Sequence, residues 1–95
     1  MQTYCVETDM DATRVEAMRE VFERLSTGDE DVTIDIARVR FIDSSGVGAI
    51  VFLFKRLKMR GRNLMIANAQ GQPQRLFIQL RLTFLLAPPP RSSAA

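Results

Sequence analysis

Asp43-Ser44-Ser45-Gly46 sets a carboxylate, two hydroxyls and a glycine together just ahead of an apolar helical repeat. Hydroxyls at a helix N-terminus lie beside N–H groups that lack an intrahelical partner, at the positive end of the helix dipole. A phosphoryl group on such a serine is well accommodated, and Gly46 and Gly48 keep the approach clear of side chains. The plainer reading of the same residues is helix capping, for which Ser and Asp are preferred. The run is not a phosphate-cradling loop. It lacks Gly-x-x-x-x-Gly-Lys-Ser/Thr, and Lys55 lies well beyond Gly46. It is not a Gly-x-Ser-x-Gly nucleophile elbow either. A nucleotide-binding module therefore ranks last among the functional readings.

Other chemistry is excluded by composition. The chain has no histidine, so Ser-His-Asp and Cys-His catalysis and histidine-ligated zinc are ruled out within it. The single cysteine, Cys5, excludes a disulfide framework and reads as a small buried hydrophobe in a reduced, cytoplasmic setting. Asp11 and Asp43 could in principle work as acid and base or hold a metal. Without histidine, and in 95 residues, the expectation is a non-enzymatic protein without a cofactor. A net charge of +2 is too small to argue for nucleic acid. The basic run Lys55-Arg56-x-Lys58-x-Arg60-x-Arg62 reads as a solvated helix end matched to the dipole, with no aromatic stacking set beside it. No signal peptide is visible, and the longest apolar run, Val47 to Phe54, is too short for membrane insertion.

The elements that position these residues follow from periodicity. Residues 3–8 read as a short strand. Residues 12–26 read as one amphipathic helix, with Val15, Met18, Val21, Phe22 and Leu25 on its apolar face, Asp11 as N-cap and Gly28 as stop. Residues 32–36 alternate as a strand, and Val39 to Ile42 runs extended into Asp43. From Ser45 to Arg60 the period is helical, with Val47, Ile50, Val51, Phe54 and Leu57 on one face and Gly61 just past the end. Phe52 and Met59 fall on the opposite face as an exposed apolar patch. Residues 63–67 form a strand. A helix then runs from Pro73 to about Leu82, with Leu76, Phe77 and Leu80 inward. Phe84 to Leu86 reads as a last short strand, and 87–95 as a flexible tail. Alternating strands and helices imply a single α/β domain over residues 1–86. It would have about four mostly parallel strands and three helices, with function at the C-terminal edge of the sheet.

Phe41-Ile42-Asp43-Ser44-Ser45-Gly46-Val47-Gly48 resembles the signature of STAS domains, the family of anti-sigma factor antagonists and sulfate transporter tails. Met10-Asp11 before a helix resembles that family's earlier Leu-Asp element. Lys55-x-x-Lys58-x-x-Gly61 resembles its next segment, and Pro73, Arg75, Leu76 and Phe77 with the Leu82 to Leu86 end resemble its last. The resemblance covers about residues 3–86. It implies that Ser44 is phosphorylated by a cognate anti-sigma factor serine kinase and restored by a serine phosphatase. Asp11 and Asp43 would flank the site as acidic neighbours. Ser45 would suit capping, and Gly46, Val47 and Gly48 would fall on the partner-facing edge. It further implies that the unmodified form binds the kinase and frees its target. The alternative is a constitutive scaffold subunit of a larger assembly, for which Phe52 and Met59 would matter more than Ser44.

Overall fold

A computed structural model describes residues 1–88. Three short strands, β1 (Gln2–Cys5), β2 (Val32–Asp35) and β3 (Leu64–Ala67), pair in parallel in the order β1-β2-β3. Tyr4 stands opposite Ile34, and Ile34 opposite Ile66, so one sheet face carries Tyr4, Val32, Ile34, Leu64 and Ile66. That face is buried apart from its β1 edge, where Tyr4 is half-buried and Gln2, opposite Val32, is exposed. The rows of Thr3, Thr33 and Met65 and of Cys5, Asp35 and Ala67 on the other face are half-buried or exposed. Strict period-two alternation makes this possible, because successive side chains leave a strand on opposite sides.

Helices α1 (Ala12–Ala17), α2 (Arg19–Ser26) and α3 (Ser44–Met59) pack together, and α3 also contacts β3. Edge-to-face rings of Tyr4 and Phe22, 6.2 Å apart, join the sheet to α2. A fourth helix, α4 (Gly71–Gln79), sends Pro73 and a fully buried Phe77 into the same core. The core is one cluster centred on Ile34, Ile36, Ile42, Ile50, Leu53, Leu57 and Ile66.

Several expectations are corrected. The helix read over 12–26 is two helices. Met18 takes φ −90° and ψ −1° and turns the chain, while its apolar side chain stays buried. The apolar stripe is continuous in sequence, so periodicity alone hides this break. The expected four strands are three, and the helices are four. The first strand ends at Cys5 rather than residue 8, and Val39 to Ile42 is a connection whose Met10–Ile42 bridge lies outside the sheet. Phe84 to Leu86 is a 3₁₀ turn (Thr83–Leu85), followed by a bridge of Leu86 to Ile66 and an Ala87 N–H that donates to Ile66 C=O at 2.7 Å. The last helix starts two residues before Pro73 and stops at Gln79. Leu80, expected inward, is exposed. On α3 the buried face is Gly46, Val47, Ile50, Leu53 and Leu57, and Val51 and Phe54 are only half-buried. Cys5 is exposed, because it lies on the open sheet face. From Pro89 on, the expected tail lies outside the described residues.

Gly61 closes α3 as the sequence indicates. Its φ is +73°, its N–H donates to Lys58 C=O, and the Arg62 N–H reaches back to Leu57 C=O at 2.8 Å. This pair of bonds satisfies carbonyls that a helix end otherwise leaves open.

Candidate functional site

The site is built where two helices begin side by side. Met10 N–H donates to Phe41 C=O at 3.0 Å, and Asp43 N–H donates to Met10 C=O at 3.2 Å. These bonds make Met10 and Ile42 a parallel pair, both fully buried. One residue beyond the pair on each chain segment stands a capping aspartate. Asp11 Oδ1 accepts from Arg14 N–H at 2.9 Å and begins α1. Asp43 Oδ1 accepts from Ser45 N–H at 2.8 Å and Gly46 N–H at 3.1 Å and begins α3. The N-cap of α3 is thus Asp43, and Ser45, expected to suit that role, is the second helical residue. An Asp placed before two serines can reach both following N–H groups, which a shorter hydroxyl at Ser45 cannot do from inside the helix.

Ser44 is therefore the first residue of α3. Both Ser44 and Ser45 are exposed, and neither hydroxyl has a protein hydrogen-bond partner among the described residues. Asp43 and Asp11 are half-buried. The cation beside them, Arg14, is committed to Asp11, with Nη1 2.9 Å from Oδ2. Gly48 is exposed, and a Cβ there would meet nothing within 4 Å. Gly46 and Val47 are buried. A Cβ on Gly46 would come within 2.6 Å of Ile42 Cγ1 and 2.7 Å of Met10 O, so its lack of a side chain lets α3 lie against the bridge. Gly46 and Val47, expected on a partner-facing edge, are buried beneath the start of α3. Ser44, Ser45 and Gly48 form its surface.

Two residues that sequence reasoning passed over hold the loop. Asp9 Oδ1 accepts from Arg40 N–H at 2.9 Å and Phe41 N–H at 3.2 Å, tying the 9–11 and 40–43 segments together. Gln72, on α4, accepts from Ile42 N–H and donates to Ile42 C=O, both at 2.9 Å. An acidic residue next to the Met10-Asp11 pair was the available signal for Asp9. A lone glutamine sixty-odd positions from Asp9 offers none.

The STAS domain model matches residues 3–94. The chain belongs to the STAS family. The match supports the anti-sigma factor antagonist type, and proteins with this domain are typically binding regulators.

In this STAS domain both carboxylates of the site, Asp11 and Asp43, are occupied in caps. No cluster of three or more histidine, cysteine or acidic ligands occurs among the described residues. No helix among them is long and apolar enough to cross a membrane. What remains is a pair of exposed hydroxyls on an acidic ledge. Beyond them runs the outward stripe of α3, where Phe52 is 53% and Met59 86% exposed. Arg56 lies over the Phe52 ring at 4.7 Å. A shallow groove of about 280 Å³ separates Phe52 from Val15, Phe22 and Glu23.

Proposed function

We propose that this STAS domain is a phosphorylation-switched anti-sigma factor antagonist, with Ser44 as the switch. The observation that carries the reading is the Ser44 hydroxyl, exposed and without a partner among the described residues, at the first residue of α3 directly after the Asp43 cap. In the forward step the Ser44 Oγ attacks the γ-phosphorus of ATP held by a serine-kinase anti-sigma factor. The bond to ADP breaks, and the hydroxyl proton leaves to a base of the kinase. A serine phosphatase reverses the state by hydrolysis to inorganic phosphate. The unmodified form binds the kinase and releases its target. The added charge of about −2, next to Asp43 and Asp11, opposes that binding.

The charge layout supports the same direction. Every acidic residue of the chain lies at or before Asp43, and every charged residue from Ser44 onward is basic. Lys55 and Arg56 therefore give the outward stripe of α3 a positive character suited to an acidic partner surface. A dianion on Ser44 introduces negative charge at the head of that stripe. Cytoplasmic residence, without nucleic acid as a partner and without membrane insertion, completes the proposal.

The deciding experiment is the mass of the protein purified from its own cells, with the modified residue located, followed by incubation with the cell's serine-kinase anti-sigma factor and ATP. One phosphate on Ser44 is expected. Stoichiometric phosphorylation of Ser44→Ala refutes the assignment. A second reading, a constitutive scaffold subunit, draws on the exposure of Phe52 and Met59. It requires Phe52→Asp to disrupt an assembly in which Ser44→Ala is silent.

A further inference from the structure

The connection between β2 and α3 is held from two sides. On one side, Met10 takes up the Phe41 C=O and the Asp43 N–H. In a parallel pairing the intervening residue, Ile42, then points its own N–H and C=O the opposite way. No strand lies there. The groups are received by one side chain, Gln72, whose Oε1 accepts from the Ile42 N–H and whose Nε2 donates to the Ile42 C=O. A primary amide presents a donor and an acceptor side by side, so it stands in for the peptide of a neighbouring strand. The orientation of the amide is fixed by the pairing, since a flipped amide would set donor against donor and acceptor against acceptor.

Gln72 does not act alone on the connection. Gln70, immediately before α4, donates from Nε2 to Ala37 C=O at 3.1 Å. Gly71 between them has φ +62°, which turns the two glutamines out of the β3–α4 loop toward the 37–42 segment. Gln70 before α4 and Gln72 in its first turn thus fasten both ends of the segment that delivers Asp43 and Ser44. Ile42 is one residue from the Asp43 cap and two from the Ser44 hydroxyl.

We infer that Gln72 is a positioning residue for the Ser44 switch: by pairing with the Ile42 backbone from α4, it sets the path along which Asp43 caps α3 and Ser44 is presented. The inference rests on the reading of Ser44 as the phosphate acceptor. Ile42 is fully buried, so loss of the amide leaves an N–H and a C=O without partners in a place that water reaches poorly. The backbone then relaxes where the cap is made, while the sheet, two residues or more away in every strand, keeps its own ladder.

The test uses the full chain and two variants. Gln72→Met keeps the length and removes both polar groups. Gln72→Glu keeps the acceptor for the Ile42 N–H but sets a carboxylate oxygen against the Ile42 C=O until it is protonated. In Gln72→Met, amide exchange at Ser45 and Gly46 should rise at least tenfold while Ile34 and Ile66 keep their wild-type protection. In Gln72→Glu, the Ser45 and Gly46 amide resonances should be displaced at pH 7. They should return toward wild-type positions as the new carboxyl protonates on acidification, a recovery that Gln72→Met lacks. With the serine-kinase anti-sigma factor and ATP, Gln72→Met should lower kcat/KM for Ser44 at least tenfold. Unchanged exchange at Ser45 and Gly46, or loss of protection at Ile34 and Ile66 to the same degree, overturns the positioning role. Normal phosphorylation of Gln72→Met overturns it too and leaves the switch reading intact. A wild-type protein that takes no phosphate on Ser44 sinks the switch reading itself.

Discussion

Gly46 and Gly48 lie two residues apart on α3, and alanine at the two positions should have opposite effects. A Cβ at Gly46 would sit 2.6 Å from Ile42 Cγ1, 2.7 Å from Met10 O and 2.9 Å from Met10 Cβ. One of those atoms is backbone, and Met10 and Ile42 form the buried bridge that carries both caps. Relief therefore requires α3 to move off the bridge. A Cβ at Gly48 would meet nothing within 4 Å. Alanine gains about 0.5–1 kcal/mol over glycine inside a helix. Gly48→Ala should realise that gain in full. At Gly46 the same gain is set against overpacking of about 1–3 kcal/mol, with the backbone contact placing it toward the upper end. The net is a loss of about 1–2 kcal/mol.

The two variants should thus differ by about 2–3 kcal/mol, which for a domain of this size separates their melting temperatures by roughly 10–20 °C. Circular dichroism melts and urea titrations measure it directly. A Gly46→Ala protein melting at or above wild type would show that α3 does not lie as close to Met10 as described. A destabilised Gly48→Ala would show that its outer face is covered. Binding separates the two roles further. Gly48 is on the surface proposed to meet the partner, so Gly48→Ala should weaken partner binding while raising stability. Gly46→Ala should alter binding only as far as it shifts the helix.

Asp43→Ala removes the bonds to Ser45 and Gly46 N–H and should cost about 1 kcal/mol in urea denaturation, whereas Ser44→Ala, at an exposed hydroxyl without a partner, should melt like wild type. Asp35 has its carboxyl held below the ordinary value by the Asn68 amide, 3.1 Å away, and by the Ala37 N–H. The folded state favours its charged form, so this stabilisation is complete above the unfolded value of about 3.9 and fades as pH falls through the lower folded value. Asn68→Gly keeps the positive φ of 62° but deletes the amide, and its stability should fall less than that of wild type between pH 5 and pH 2.

The capping at this site is partly legible in the sequence, and the features that are not legible share a cause. The Asp11 cap is legible because caps are local, set by residue type over three or four positions, while at α3 the same signal points to Ser45, two residues past the Asp43 cap. The open sheet face that exposes Cys5 was missed because a four-residue strand does not reveal which of its faces the helices cover. The break at Met18 was hidden because a buried methionine fits an uninterrupted apolar stripe as well as a turn between two helices. Glycines read as open approach proved to be two kinds, and only the tertiary neighbours of Gly46 distinguish it from Gly48. Gln72 is the extreme case: its role depends on a backbone pair thirty residues away and leaves no trace in spacing.

Whether a phosphate on Ser44 would act through stability or through the surface can be argued from the cap. Three of the first four N–H groups of α3 are already used, because Asp43 Oδ1 holds both the Ser45 and Gly46 N–H groups and Val47 N–H donates to Asp43 C=O. A phosphoryl group could take those donors only by displacing Asp43, whose carboxylate would then be left half-buried beside a dianion. The cation at hand offers no relief, since Arg14 is paired with Asp11 at 2.9 Å. The lower-energy course is for the phosphate to remain in water on the exposed side of Ser44, one residue from Asp43. Its repulsion from the two carboxylates is then that of solvent-screened charges, about 1 kcal/mol or less. Phosphorylated protein should therefore melt within about 4–8 °C of the unmodified form. Its Ser45 and Gly46 amides should keep their protection. Its affinity for the kinase should fall by tenfold or more, and added salt should reduce that difference. A large drop in melting temperature together with loss of the Ser45 and Gly46 protection would mean that the phosphate captures the helix end, and that the switch works by uncapping α3 rather than by recharging its surface.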